Sequence, residues 1–352
     1  MVTVLIVEDS PVVRDFLRYV LSADPEIQVI GTASDGAAAL DVMQHQKPDV
    51  ITMDIHMPRM NGLEATRKIM ETHPTPIVIV SSSVVADEVA TTFRAIEAGA
   101  LAAVPRPQGL GHAEHEATAQ ELVRTVKLMS EVKVVRRWPR HRNGSRVPAA
   151  QRADMPRAST AIQVVAIGAS TGGPLALQTL LSGLPKDFPV PVLIVQHMAA
   201  GFIPGFAAWL AQSTGFPVHV AAADDDLLSG HAYVAPDGAH LRVGMGRRVV
   251  LSQDAPKNGV RPSVSYLFQS VAHVFGGSAA GLLLTGMGKD GAEELKLLRD
   301  KGAITMVQDR DSAVVYGMPG EAVKLDAAMY VLSPERMVAG LVRLTDKKGT
   351  TP

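Results

Sequence analysis

What most constrains this chain is an alternation, carried out twice, of short β-rich apolar runs with amphipathic stretches of helical period. In the first series Val2 to Val7, Val50 to Met53 and Ile77 to Val80 are the β-rich runs, and Pro11 to Leu21 and Leu63 to Met70 are amphipathic. Glu114 to Val135 reads as one further helix. A second series begins at Gln163 with Val164-Val-Ala-Ile167 and continues through Val190 to Val195, Gly281 to Thr285 and Ala303 to Val307. Strands that alternate with helices predict a parallel sheet covered on both faces. The segment between the series, Arg136-Arg-Trp-Pro-Arg-His-Arg-Asn-Gly-Ser-Arg-Val-Pro148 and Ala149 to Thr160, is rich in Arg, Pro and small residues without apolar period. It reads as an exposed linker, semi-stiff at its prolines. The expectation is an α/β protein of two doubly wound parallel-sheet domains. Their spans are 1–121 and 158–346, with a helix end and linker at 122–157 and a tail at 347–352. A chain of 352 residues is long enough to give each domain its own core.

Composition narrows the function classes. A formal net charge of -1 supplies no global field to draw nucleic acid or an anionic membrane. With no cysteine, disulfides, thiolate metal sites and a thiol nucleophile are excluded together. The start, Met1 to Asp9, lacks a basic region and puts Glu8 and Asp9 where a signal peptide stays apolar. No uncharged apolar run approaches the roughly 20 residues of a membrane helix. A cytoplasmic location without membrane insertion or nucleic-acid binding is therefore expected.

Chemistry-bearing residues cluster just past the runs. Glu8 and Asp9 end the first strand, Asp54 ends the third, and Ser81 follows the fourth. In an open α/β sheet those carboxyl ends form the ligand crevice. Carboxylates converging there repel one another unless a hard cation joins them, and Mg²⁺ suits an all-oxygen donor set. Beside such a cation Asp54 is a plausible oxygen nucleophile toward a phosphoryl group. The bland alternative is solvated acids at strand ends.

In the second series Gly168-Ala-Ser170-Thr-Gly172 matches the G-x-S-x-G pattern of a nucleophile elbow. Small neighbours allow the sharp strand-to-helix turn that lifts a serine oxygen above the sheet, and the next helix N-terminus can face an oxyanion. Glycine turns after a first strand also cradle phosphates, but there is no G-x-G-x-x-G and no P-loop lysine. A serine nucleophile needs a base and an orienter. Pro191 to Val195 is followed by Gln196-His197, and Gly281 to Thr285 runs into Gly286-Met-Gly-Lys-Asp290-Gly291. His219, His231, His240 and His273 compete with His197, while Asp224-Asp-Asp226 and Asp309 compete with Asp290. Position beyond a strand favours His197 and Asp290.

Two resemblances gather these motifs. Glu8-Asp9-Ser10, Asp54-Ile-His-Met-Pro-Arg-Met-Asn-Gly62 and Ser81 resemble the response-regulator receiver family. That resemblance implies a flavodoxin-like domain with Asp54 as phosphoacceptor and Asp9 and Asp54 as direct Mg²⁺ ligands. It also implies Glu8 as a partner nearer the metal's water, the His56 backbone carbonyl as a further ligand, and Ser81 on the phosphoryl group. Where that family usually carries Lys, this chain has Arg106 before Pro107 as the phosphoryl contact, with a different reach and donor geometry.

Gly168 to Gly173, Gln196-His-Met198, Arg261-Pro-Ser-Val264, Leu284 to Gly291 and Tyr316-Gly-Met-Pro319 look like the catalytic domain of the protein-glutamate methylesterase (CheB) family. This second resemblance implies a Rossmann-like three-layer serine hydrolase domain. In it Ser170 is the nucleophile, His197 the base and acid, Asp290 the orienter, Thr171 a supporting residue and Met287 N–H an oxyanion donor. It further implies a phosphorylation-regulated enzyme of chemotaxis, needing no cofactor for ester hydrolysis. Methylated chemoreceptor helices would be its substrate, glutamine deamidation a second activity, and a chemotaxis histidine kinase the phosphodonor. The expected coupling is a receiver that blocks the crevice until phosphorylated. The rival readings are a DNA-binding regulator, disfavoured by the second βα series, and a nucleotide-binding output domain.

Overall fold

A computed structural model describes residues 1–81, 86–132, 134 and 161–346. They form two compact units, one on each side of the segment 135–160. The Arg/Pro-rich stretch expected as a linker and the tail from 347 lie outside the described residues, as does Val135.

The first unit runs β1 (Val2–Val7), α1 (Pro11–Ser22), β2 (Ile27–Ala33), α2 (Gly36–Met43), β3 (Val50–Met53), α3 (Gly62–Thr72), β4 (Ile77–Ser81), α4 (Ala86–Ala98), β5 (Ala102–Pro105) and α5 (His115–Ser130). Its strands pair in parallel in the order β2-β1-β3-β4-β5, the flavodoxin-like arrangement. The chain reverses direction across the sheet between β1 and β3, so the crevice opens where Glu8, Asp9 and Asp54 lie. Local chemistry starts the helices there. Ser10 caps α1 ahead of Pro11, and Asn61 Oδ1 accepts from Glu64 N (2.9 Å) at the head of α3. Gly62 has no alternative, because a Cβ at that position would lie 2.0 Å from the Asp54 carbonyl oxygen. The last helix ends at Ser130, short of the expected Val135, and buries Leu122, Val126 and Met129.

The second unit runs β6 (Val164–Ala169), α6 (Gly173–Gly183), β7 (Val192–Gln196), α7 (Ile203–Thr214), β8 (Val218–Val220), β9 (Ala232–Val234), β10 (His240–Gly244), β11 (Arg248–Ser252), α8 (Val264–Val274), β12 (Ala279–Leu283), α9 (Ala292–Asp300), β13 (Ile304–Gln308), α10 (Met318–Lys324), β14 (Tyr330–Leu332) and α11 (Pro334–Thr345). Seven strands form a parallel sheet in the order β14-β13-β12-β6-β7-β9-β8. Helices α6, α7 and α11 pack together on it, as do α8, α9 and α10, giving three layers. β10 and β11 form a separate antiparallel hairpin that lies against α8.

Strands buried on both faces read as continuous apolar runs. β6, β7, β12 and β13 are buried throughout and were legible for that reason. Boundaries move by one or two residues: β7 covers Val192–Gln196, not Val190 to Val195, β13 covers Ile304–Gln308, not Ala303 to Val307, and β12 covers Ala279–Leu283, not Gly281 to Thr285. Beyond it Leu284 N still donates to Gly168 O (2.8 Å) and Thr285 O accepts from Ser170 N (3.0 Å), so these two residues continue beside β6.

Candidate active site and phosphoacceptor site

The second unit's site is built on three adjacent strand ends. β6 lies between β12 and β7, so the residues that follow these strands share one rim of the sheet. Gly172 caps α6 at φ +79°, a left-handed conformation that favours glycine, and an added Cβ would meet Val314 at 2.6 Å. That turn puts Ser170 at the apex of the elbow. A Cβ on Gly286 would fall 2.7 Å from Ser170 Cβ, so the loop carrying Met287 and Asp290 passes directly against the serine. On the other side His197 N donates to Ala169 O (2.9 Å). The buried amide of Gln196 ties the rim together, its Nε2 donating to Ser170 O (2.8 Å) and His197 O (2.9 Å). Thr171 stands next to the apex, its carbonyl accepting from Thr285 Oγ1 (2.8 Å).

His197 Nε2 lies 3.0 Å from Asp290 Oδ2. An ionised carboxylate only accepts, so Nε2 carries the proton and Nδ1 is left as the basic nitrogen. Asp290 is 3% exposed and takes four further hydrogen bonds. Asn258 Nδ2 (2.9 Å), Ser263 Oγ (2.7 Å) and Ser265 Oγ (2.8 Å) reach Oδ1, and Val264 N (2.6 Å) reaches Oδ2. Burial alone would push this carboxyl up. The bond and charge of His197, with Asn258 and Ser263, outweigh burial and hold it well below the usual carboxylate range.

His219, His231, His240 and Asp309 are engaged with other partners, His240 Nδ1 accepting from Ser263 N (3.1 Å) behind Asp290. His219 and His231 stack on each other, with Nε2 and Nδ1 2.8 Å apart. His240 is buried against Tyr266, and burial lowers its pKa. Asp309 accepts from Ser312 N and Oγ.

Sequence reasoning passed over the residues that hold Asp290. Arg261-Pro-Ser-Val264 stood out as a motif without a role, and it supplies Ser263 Oγ and Val264 N to Asp290. Asn258 and Ser265 carried no signal, being common residue types whose partner is reached only through the fold.

In the first unit Glu8, Asp9 and Asp54 each offer a carboxylate oxygen, all within 4.8 Å of one another, and they are the one such group of metal-ligating side chains among the described residues. Glu8 and Asp54 are buried and Asp9 is exposed. Glu8 is pushed up to about 7, first by burial, then by Asp54. Asp54 is raised by burial, with the Ile55 and His56 N–H groups opposing and the Asp9 charge adding to it. Buried, mutually repelling oxygen donors fit a hard divalent cation. Ser81 ends β4, and Arg106, beyond β5, donates its N–H to Ser81 O (2.8 Å). The Arg106 charge also reaches Glu8. The His56 backbone N–H donates to Asp54 Oδ2 (3.1 Å), so the loop carrying its carbonyl borders the same cluster.

Comparison with known proteins follows the same division. Residues 165–341 match the family described as CheB methylesterase, and residues 4–115 match the response regulator receiver domain. The chain is 56% identical to a "Protein-glutamate methylesterase/protein-glutamine glutaminase" of Nitrosospira multiformis over 351 residues, which is 100% of this chain and 99% of the relative. It is 58% identical to a similarly named protein of Geobacter metallireducens, covering 99% of this chain and 100% of that relative. Among solved structures, the CheB methylesterase catalytic domain of Thermotoga maritima aligns with a TM-score of 0.51 at 32% identity, over 53% of this chain and 100% of that one.

Proposed function

The chain belongs to the CheB methylesterase family, and from that premise we propose that it is a protein-glutamate methylesterase and protein-glutamine glutaminase acting on chemoreceptors, with Ser170 as its nucleophile. Ser170 Oγ attacks the γ-carbonyl of a glutamate methyl ester while His197 Nδ1 takes its proton. His197 returns that proton to the departing methoxide, and methanol leaves. Water, activated by the same imidazole, then attacks the acyl-serine and releases glutamate and Ser170. A glutamine side chain follows the same route with ammonia as leaving group. Asp290 holds the tautomer and stabilises the imidazolium, and Met287 N–H donates to the oxyanion with Thr171 in support. The observation that carries this reading is the 3.0 Å contact between His197 and a fully hydrogen-bonded Asp290, on the rim where the glycine elbow lifts Ser170.

In the receiver unit Asp54 is the phosphoacceptor. Asp9, Asp54 and the His56 carbonyl would hold Mg²⁺, Glu8 would bind through its water, and Ser81 and Arg106 would contact the phosphoryl oxygens. Bound there, such a cation would supply positive charge opposite the phosphoryl oxygens. A chemotaxis histidine kinase supplies that group, and phosphorylation governs hydrolysis. None of the described helices is long and apolar enough to cross a membrane, which agrees with a cytoplasmic enzyme meeting the cytoplasmic helices of its receptors.

Methanol release from methylated receptor by wild type and Ser170→Ala is the test. Release abolished in the variant is expected; undiminished release overturns the reading. A rate unchanged by a small phosphodonor would reject the regulation.

A further inference from the structure

Behind His197 and Asp290 stands a second buried carboxylate that the chemistry above leaves idle. Glu294 sits in the first turn of α9 and is 8% exposed. Its Oε2 lies 2.6 Å from Ser265 Oγ, and that same hydroxyl lies 2.8 Å from Asp290 Oδ1. Gly291 N (3.1 Å) and Asn258 Nδ2 (3.4 Å) already donate to this oxygen. A serine hydroxyl carries one proton, so two carboxylates compete for it. On the far side of Glu294, Lys257 Nζ lies 2.5 Å from Oε1.

We infer that Ser265, Glu294 and Lys257 are positioning residues that set the basicity of His197 through Asp290. When Ser265 turns its proton to Glu294, Asp290 presents more of its charge to His197 Nε2 and supports the imidazolium better. When the proton turns to Asp290, that support weakens. Lys257 governs the competition by neutralising Glu294. Asp290 lies in the field of His197 from the β7 loop, with the exposed Lys289 next to it in sequence, and Lys257 from the β11–α8 loop lies in the field of Glu294, Asp290 and Glu293. The inference rests on Ser170 and His197 acting as proposed above.

Two nearly isosteric substitutions have opposite consequences. Glu294→Gln removes the competing charge, hands the Ser265 proton to Asp290, and moves the acid limb of the rate profile to lower pH. Lys257→Met frees Glu294 to pull that proton and moves the limb to higher pH. Each shift is on the order of half a pH unit, and both shrink in a Ser265→Ala background, which removes the shared proton and leaves the through-space charges in place. Lys257→Arg restores the wild-type profile. A purely structural role would lower the rate without moving the limb in opposite directions.

The experiment is the pH dependence of methanol release by the full chain, in wild type and these three variants, each with and without Ser265→Ala, with folding checked by circular dichroism. Opposed shifts with rescue by Lys257→Arg are expected. Shifts of one sign, a shift in one variant only, or none in either overturns the relay. Ser170→Ala runs beside them: activity surviving in it sinks the nucleophile assignment, whereas its loss alongside unshifted profiles sinks the relay alone.

Discussion

Glu8 and Asp54 in the first unit and Asp290 in the second are all buried carboxylates just beyond a parallel strand's carboxyl end, yet their surroundings drive them in opposite directions. Burial raises all three. In the first unit little opposes it: Glu8 accepts from Ser10 N, Asp54 accepts from the Ile55 and His56 amides, and each acid sits in the field of another. Asp290 has five donors within hydrogen-bond distance, His197 among them and Ser265 sharing its one proton with Glu294, and together they reverse the effect of burial. Depth does not decide the charge state of a buried acid; the number and kind of donors aimed at it does. The first arrangement suits a site completed by a cation, and the second a permanently charged orienter.

The largest expected effect comes from removing the charge that the second arrangement protects. Asp290→Asn keeps the shape but lets the wrong imidazole tautomer form, and methanol release should fall by about 10³–10⁴-fold. A fall under tenfold would show that the carboxylate is not needed as a charge. In the first unit Asp54→Asn relieves the repulsion without touching the hydrolase. Uptake of phosphate from a small phosphodonor should vanish, while labelling of Ser170 by a fluorophosphonate without phosphodonor stays at the wild-type level.

The two units should also respond oppositely to pH. The folded pKa of Glu8 is raised from its ordinary value to about 7, so the stability it contributes is present below the ordinary carboxylate pKa and is lost as pH rises toward 7. The folded pKa of Asp290 is depressed, so its contribution is present above the ordinary value and is lost as pH falls below it. Mg²⁺ should therefore stabilise the receiver unit by roughly 1–3 kcal/mol at pH 8 and far less at pH 5, where protons compete for the same oxygens. Thermal unfolding with Mg²⁺ and with a chelator reads this out, and equal stabilisation at both pH values would remove Glu8 from the cation site. The smallest effect is expected for Ser263→Ala. It deletes one of five donors to Asp290 and should lower the rate by about two- to tenfold, the worth of a single hydrogen bond.

Legibility in the sequence followed burial and length together: β9 is buried throughout but only three residues long, and it was not read. The central strands β1, β3 and β4 are buried along most or all of their length and read as apolar runs, whereas at the sheet edges β2 is half-buried and mixed in polarity and β5 is a four-residue run of small side chains ending in Pro105. In the second unit the edge strands β8 and β14 escaped for the same reason, and the β10–β11 hairpin because its alternation is local and belongs to no βα unit. Ser170, His197 and the acids of the first unit stood out as candidates because each lies at or directly after the end of an apolar run, and Asp290 because a short glycine-rich loop follows one.

The chain alone determined that there would be two parallel sheets and which side chains would emerge at their carboxyl ends, since apolar period and small-residue turns are local properties. Tertiary structure decided which of those ends meet. β12 pairs with β6 across more than a hundred residues of intervening chain, and only that pairing brings Asp290 to the side of Ser170 and His197. It also decided the company Asp290 keeps: Asn258, Ser263, Ser265 and, through Ser265, Glu294 converge on it from separate elements. Hydrogen bonds of that kind depend on distance in space, and spacing along the chain carries no record of them.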